Sequence, residues 1–293
     1  MIDVVIVNYN STGFLLDCLK SVYESLNGIS ARIIIQDNGS SDGVGDILKA
    51  FPDVQLTRHL KNLGFACAVN HGIKQGTNRY IVLLNPDTIV TNGFFEDSIA
   101  FMDSHPNAGI MGPQILDPDG KIQHSARSFP SLMTAIFGRS SPISRWFPKN
   151  PLTYRNLMSL RSDGISAMEV DWVSGACMVV SRNAVNDIGL LDDRFFMYWE
   201  DADYCKRMWD AGWKVLYNPQ FSIYHHVGGS SRHAVVQSVY QFHKSVYRWY
   251  EKHLPFTNAF VRPLLLAGLF FRAALVIFGK CAAGWQENTD DTH

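Results

Sequence analysis

Four short stretches of this 293-residue chain carry side chains whose types and spacing could do chemistry together. In Tyr80-Ile-Val-Leu-Leu-Asn-Pro-Asp, an apolar, strand-forming run stops at Asn85-Pro86-Asp87. Proline has no amide donor and cannot continue a central strand, so the sheet is expected to end there and hand Asp87 to the crevice beyond it. A carboxylate at a strand tip is a hard oxygen ligand, suited to a divalent cation that holds a diphosphate. Alone, it would more often cap the next turn. Glu200-Asp201-Ala202-Asp203 follows the aromatic run Phe195-Phe-Met-Tyr-Trp. Acidic residues suit the first turn of a helix, yet three carboxylates beside an aromatic wall also make a general-base site, with the helix dipole expected to keep Asp201 ionised. His225-His226, ending a further apolar run before Gly-Gly-Ser-Ser, is a candidate metal-ligating pair. Asp37, in Asp-Asn-Gly-Ser-Ser-Asp, could accept the N3–H of uracil or thymine, and Tyr9 could stack on a base. Ordinary turn chemistry explains the same residues.

Two further segments invite a ligand. Asn62-Leu-Gly64 reads as a tight turn into a helix over 65–75, whose first amides and dipole would favour an anion. Neither a GxxxxGK[ST] loop nor a GxGxxG fingerprint occurs, which excludes the two commonest nucleotide cradles. Trp172 could be a platform for a sugar ring, and Ser174-Gly175, between two apolar runs, suggests backbone lying close to a ligand. A glycine bend in a core strand accounts for Ser174-Gly175 equally well. His71, in mid-helix, reads as packing.

The elements that must position these groups follow from periodicity. Residues 2–7, 32–36, 54–58 and 80–84 are short apolar runs of strand type, and Phe14, Leu15, Cys18, Leu19, Val22, Tyr23 and Leu26 keep a helical period between the first two. Strand, helix, strand is a βαβ unit with its loops on the carboxyl edge. Further on, the pattern predicts a helix over 93–104, a strand over 108–112 and a hairpin over 115–123 on Asp117-Pro-Asp-Gly120. Strands are expected over 213–218 and 221–226. Residues 125–167 have weak periodicity, with Pro130, Pro142, Pro148, Pro151, Phe137, Trp146 and several basic residues. They read as an acceptor-side or membrane-facing flap.

Composition sets the bounds. The chain is 46% hydrophobic and 12% aromatic, enough for a sizeable core, and its formal net charge of −1 argues against charge-driven nucleic-acid binding. Five cysteines without CxxC or zinc-like spacing suggest reduced, buried thiols and a cytosolic setting. The first residues lack a basic n-region, so no signal peptide is expected.

Taken in order, Val7-Asn-Tyr-Asn10, Asp37-Asn-Gly-Ser40, Asn62-Leu-Gly-Phe-Ala66, Leu84-Asn-Pro-Asp87, Glu200-Asp201 and His225-x-x-Gly-Gly-Ser230 resemble family 2 glycosyltransferases, especially the rhamnosyltransferase-like branch, over residues 1–253. The resemblance implies an α/β GT-A fold, a Rossmann-like nucleotide-binding half with a mixed central sheet and a C-terminal helical extension. It places the nucleotide-sugar half at 1–112, the acceptor half at 113–232, the extension at 233–285 and a disordered tail at 286–293. It implies donor binding by Val7, Asn8, Tyr9, Asp37, Asn62, Gly64, Asn85 and Asp87. Asp87 matches the last acidic position of the family's DxD motif, whose first position is Asn85 here. Asp201 is implied as catalytic base, with Glu200, Trp172, Ser174 and Gly175 on the sugar and acceptor side. Mn²⁺ or Mg²⁺ on Asp87 and His225, or His226 one register away, is the implied cofactor. The activity implied is inverting transfer, of rhamnose from dTDP-L-rhamnose or of a hexosyl or galactofuranosyl group from a UDP-sugar, to a glycan or lipid-linked acceptor. A non-catalytic glycan- or nucleotide-sugar-binding subunit is the alternative of another class.

Residues 235–254 read as an amphipathic helix with basic and aromatic residues interleaved. Residues 263–278 are apolar apart from Gly268 and Arg272, short of the roughly 20 residues that span a bilayer. An interfacial or re-entrant helix at the inner face of the cell membrane is expected, the alternative being a helix docked on the core or on a second copy in a homo-oligomer.

Overall fold

The computed structural model describes residues 1–130, 151–226, 235–254, 263, 266–274 and 276. Its first half is the expected βαβ series. β1 (Ile2–Asn8), α1 (Thr12–Leu26) and β2 (Ala31–Asp37) are followed by the short α2 (Ile47–Ala50), β3 (Gln55–Arg58), α3 (Phe65–Gln75) and β4 (Tyr80–Leu84). β1 lies between β2 and β4 and is parallel to both, with β3 parallel to β2 at the edge. Alternation along each strand explains the continuous apolar runs: both faces are covered. Val4 and Ile6 turn to one face, packed with Leu15, Leu19 and Val22 of α1. Val5 and Val7 turn to the other, with Ala66, Val69 and Ile73 of α3.

The second half inserts antiparallel strands, so the sheet is mixed. After β5 (Thr88–Val90) and α4 (Phe94–Ser104) come β6 (Ala108–Leu116), β7 (Ala126–Arg127), α5 (Pro151–Asn156), β8 (Met168–Glu169), β9 (Trp172–Val173) and β10 (Cys177–Ser181). α6 (Arg182–Ile188), α7 (Glu200–Asp210), β11 (Lys214–His225) and α8 (Val235–His253) complete the described elements. Nine strands form the main sheet in the order β3-β2-β1-β4-β10-β6-β11-β5, with β8 also on β11 and β10 antiparallel to both neighbours. β7 and β9 make a separate two-stranded ribbon.

Three expectations need correction. The sheet does not end at Pro86: the chain leaves β4 at Leu84, turns through Asn85-Pro86-Asp87 and re-enters the same sheet as β5, paired with the end of β11. The two strands expected over 213–226 are one strand, because a register irregularity between Asn218 and Ser222 lets it continue past Pro219. The run at 108 continues to Leu116 along that strand. The hairpin over 115–123 is present, closed by a bridge between Leu116 and Ile122.

α8 packs against the domain. Val246, Trp249 and Tyr250 share a cluster with Phe195, Ala202 and Leu269. Among the described residues no helix is long and apolar enough to cross a membrane. Cys18, Cys177 and Cys205 are buried free thiols, whereas Cys67 is only half-buried. Within the flap over 125–167, residues 131–150 lie outside the described residues, as do 227–234 with the Gly-Gly-Ser-Ser motif and the expected tail at 286–293.

Candidate active site

The carboxyl ends of β1, β2, β4 and β11 bring most of the singled-out residues to one edge of the sheet. At β1 and β2, the fully buried Asp37 accepts from Asn8 Nδ2 at 3.0 Å and from the Ser40 amide at 3.3 Å, with Arg58 Nε 3.8 Å away. Ser40 Oγ in turn accepts from Asn8 Nδ2 and from the Asn10 amide. This lattice locks two loops together and leaves Tyr9 about one-third exposed at the rim, whereas the Val7 side chain is in the core. Asn38 is a member that pattern reading missed. Its amide nitrogen donates to Asn62 Oδ1 and Gly64 O, and its oxygen accepts from the Leu63 amide.

Gly64 has φ +91°, and a Cβ there would lie 2.7 Å from the carbonyl oxygen of Phe196. Only glycine allows this approach. The Phe65 amide donates to Phe196 O at 2.6 Å. The first amide of α3 is therefore spent on the loop leading to α7, not held open for an anion as its position suggested.

At β4, Asp87 is buried, and its backbone oxygen accepts from the His226 amide at 2.9 Å. Thr88 is the antiparallel partner of His225, which lays the end of β11 alongside the Asp87 turn, with His225 Nε2 3.3 Å from Asp87 Oδ1. His226 points elsewhere, its ring tilted against Phe14 at 5.5 Å. An oxygen and an imidazole nitrogen side by side form a mixed donor set that suits a transition ion such as Mn²⁺, whereas the hard Mg²⁺ would use the carboxylate alone. Among the described residues no third His, Cys, Asp or Glu joins them. Two protein donors would leave most of a cation's coordination positions to other ligands.

Asp201, in the first turn of α7, accepts from the Gly175 amide at 3.1 Å and from the Ala202 amide at 2.8 Å. The backbone approach that Ser174-Gly175 suggested is thus to Asp201. One residue on, Ala176 O accepts from the Asn85 amide at 2.9 Å. Residues 174–176 therefore form a rigid bridge from the Asp87 tip to the Asp201 carboxylate. Burial pushes the Asp201 carboxyl above its usual range, partly offset by the Gly175 and Ala202 amides and the nearby Arg127 guanidinium. The helix dipole and these amides favour the ionised form of Asp201, and burial opposes them. Glu200 is fully desolvated, and with Asp201's charge beside it is pushed well above the carboxylate range.

Two other expectations change. Asp203 is not in the crevice; it faces the domain interior and pairs with Arg207, Lys252 and His253. Trp172 is half-buried, donates its indole N–H to Ser128 O, and carries the Arg127 guanidinium 5.1 Å over its ring. One face of the proposed sugar platform is already covered. Before α7, Tyr198 and Trp199 both have positive φ, 67° and 71°. Bulky residues rarely accept that geometry, which costs about 1–3 kcal/mol each unless packing over-determines it. Phe242 stacks edgewise on both, Trp249 on Trp199, and Ser245 donates to Met197 O. All three partners come from α8.

A mixed sheet with a nucleotide-type first half, a strand-tip carboxylate beside an imidazole and a second carboxylate opening a helix define a glycosyltransferase of the GT-A type. Residues 3–175 match the model of Glycosyl transferase family 2, and the chain belongs to that family. It is 31% identical over 260 residues to the N-acetylglucosaminyl-diphospho-decaprenol L-rhamnosyltransferase of Mycobacterium tuberculosis, covering 84% of this chain and 83% of that protein. It is 26% identical over 264 residues to rhamnosyltransferase WbbL of Escherichia coli, covering 86% and 90%. Its fold matches a mannosyltransferase of Pyrobaculum calidifontis solved with GDP-Man and Mn²⁺, with TM-score 0.59, 15% identity and coverage of 96% and 75%. GalNAc-T7, solved with UDP, GalNAc and Mn²⁺, superposes with TM-score 0.60 and 15% identity over 94% of this chain and 55% of that one.

Proposed function

We propose that this enzyme transfers L-rhamnose from dTDP-L-rhamnose, with inversion, to a glycan or lipid-linked acceptor in cell-surface polysaccharide synthesis. The observation that carries the reading is the hydrogen-bonded bridge Asp201–Gly175-Ala176–Asn85, which fixes a general base beside the strand tip that bears Asp87. The similarity to two rhamnosyltransferases along most of the chain supports the choice of sugar.

In this mechanism Asp201 accepts the proton of the acceptor hydroxyl while that oxygen attacks the anomeric carbon. The bond to the donor's diphosphate breaks on the opposite face, so configuration inverts. Asp87 and His225 would hold Mn²⁺, or Asp87 alone Mg²⁺, whose charge stabilises the leaving diphosphate. Asn8, Tyr9, Asp37 and the Asn62–Gly64 turn form the nucleoside end, with Asp37 reading an N3–H. Uracil and thymine share that N3–H, so a UDP-sugar is the second reading. Leu266, Phe270 and Phe271 expose apolar surface beyond α8, which supports peripheral contact with a membrane holding the acceptor.

A thermal-shift panel of dTDP, UDP, GDP and CMP, each with and without Mn²⁺, tests the donor site. A nucleotide at a hundred times its dissociation constant adds about 2.7 kcal/mol. Metal-dependent stabilisation by dTDP, followed by transfer or hydrolysis of dTDP-rhamnose, is expected. Preference for UDP would move the donor, and no response to any nucleotide would overturn the reading.

A further inference from the structure

The hairpin between β6 and β7 delivers a side chain to the back of His225. Its turn is closed by the Asp117 amide donating to Lys121 O and the Gly120 amide donating to Asp117 O. Gly120 has φ +82°, the left-handed geometry such a tight turn needs. The returning strand pairs through the Gln123 amide to Ile115 O, and Tyr224 of β11 is registered with Leu116. Gln123 is thereby set beside the last residue of β11.

Its amide group has one orientation. Gln123 Nε2 donates to the backbone oxygen of His225 at 2.6 Å and to Asp117 Oδ1 at 2.7 Å. A primary amide has two N–H donors, and two acceptors take them. The other end, Oε1, therefore faces His225 Nδ1, at 2.9 Å. A carbonyl oxygen only accepts, so the imidazole carries its hydrogen on Nδ1. In the neutral ring the lone pair is then on Nε2, the atom 3.3 Å from Asp87 Oδ1.

We infer that Gln123 is a positioning residue for the cation site: it fixes the tautomer and ring plane of His225 so that Nε2 is presented, lone pair outward, beside Asp87. This rests on the proposed cation reading of Asp87 and His225. Gln123 acts through His225 and is not itself assigned as a cation ligand. The outer-shell partner of a metal-ligating histidine typically raises metal affinity about 10–100-fold, and the alternative tautomer would place a hydrogen where a ligand is needed.

The test is Mn²⁺ binding to the full chain, measured by titration calorimetry in the presence of dTDP or UDP, for the native protein, His225→Ala and Gln123→Leu. Gln123→Leu should weaken Mn²⁺ by about 10–100-fold, with kcat recovering toward the native value as Mn²⁺ is raised. His225→Ala should weaken Mn²⁺ at least as much. If His225→Ala binds Mn²⁺ as tightly as the native chain, the cation reading itself falls. If His225→Ala is impaired and a folded Gln123→Leu stays within twofold of native, only the role of Gln123 is overturned. Nitrogen-15 NMR of the labelled native protein gives an answer independent of any variant's folding. A hydrogen on Nδ1 of His225, facing Gln123 Oε1, is expected, and a bare Nδ1 would sink the assignment.

Discussion

Asp203 accepts a hydrogen bond from His253 Nε2 at 2.7 Å, across fifty residues of sequence. Lys252 Nζ lies 2.7 Å from the same oxygen, and Arg207 Nε 3.0 Å from the other. One buried carboxylate thus clamps the end of α8 onto α7, two residues after Asp201. Burial would raise the Asp203 carboxyl, but His253 and Lys252, with help from Arg207, outweigh it and hold it below the usual value. A carboxyl lowered by folding contributes stability that is complete above its unfolded value of about 3.9 and is lost as pH falls through the lowered folded value. Acid melts of the native chain should therefore steepen below about pH 4, and those of Asp203→Asn should steepen less. At neutral pH Asp203→Asn should cost toward the lower end of about 3–5 kcal/mol, because its partners keep some solvent contact. An unchanged melting temperature would show the clamp to be energetically idle.

Asp201→Asn should reduce transfer by about 10²–10⁴-fold while leaving the dissociation constant for dTDP within a factor of a few. Because burial raises the carboxyl, the acid limb of kcat/KM should sit above the range of an ordinary aspartate. Rate should be lost as pH falls through that limb. Glu200→Gln is isosteric with the protonated acid and should be the milder variant. Equal loss of donor binding and transfer in Asp201→Asn would make Asp201 structural.

Gly64→Ala must relieve both a positive φ and a 2.7 Å approach to Phe196 O. The neighbour is backbone and cannot rotate away, so a loss of at least about 1–3 kcal/mol is expected. The Phe196–Trp199 loop would be displaced, and transfer should fall more than nucleotide binding does. A variant with native stability and kcat would contradict the contact.

Asp37→Asn keeps the shape of the buried side chain but offers a mixed donor and acceptor to the base. The affinities for dTDP and UDP should fall together, by about tenfold, the scale of one charged hydrogen bond. A selective loss of one nucleotide would mean that Asp37 does not read the shared N3–H.

For the C-terminal segment, Phe270→Ser/Phe271→Ser should halve or better the co-sedimentation of the chain with vesicles of anionic lipid. Stability should be little changed, because both rings are more than half exposed. Native-level sedimentation would remove the membrane role from this surface.

The parallel half of the fold was legible because its strands are buried on both faces and its helices keep a clean period. α3 and β4 fall on the residues that periodicity marks. The antiparallel half was harder. Pro219 splits the hydrophobic pattern of β11, and only the register irregularity beside it keeps the strand whole. The site's acidic and imidazole groups were visible as residue types at strand and helix ends. Their division of labour was not. Asp201 and Asp203 are two residues apart, and which one faces the crevice depends on Lys252 and His253, far along the chain. Gln123 and Asn38 escaped notice because amides in turns look like turn chemistry until their partners are known.

His225 and His226 stand side by side at the end of a strand whose phase is set by the irregular stretch from Asn218 to Ser222. Successive side chains on a strand face opposite ways, and a slip of one residue reverses every one of them. Loss of a single residue in that stretch would carry His226 into the place that His225 holds beside Asp87, replacing one imidazole by another. Gain of a residue would instead put Tyr224 there. The doublet gives the strand a spare in one direction only, so this edge of the enzyme should tolerate shortening better than lengthening.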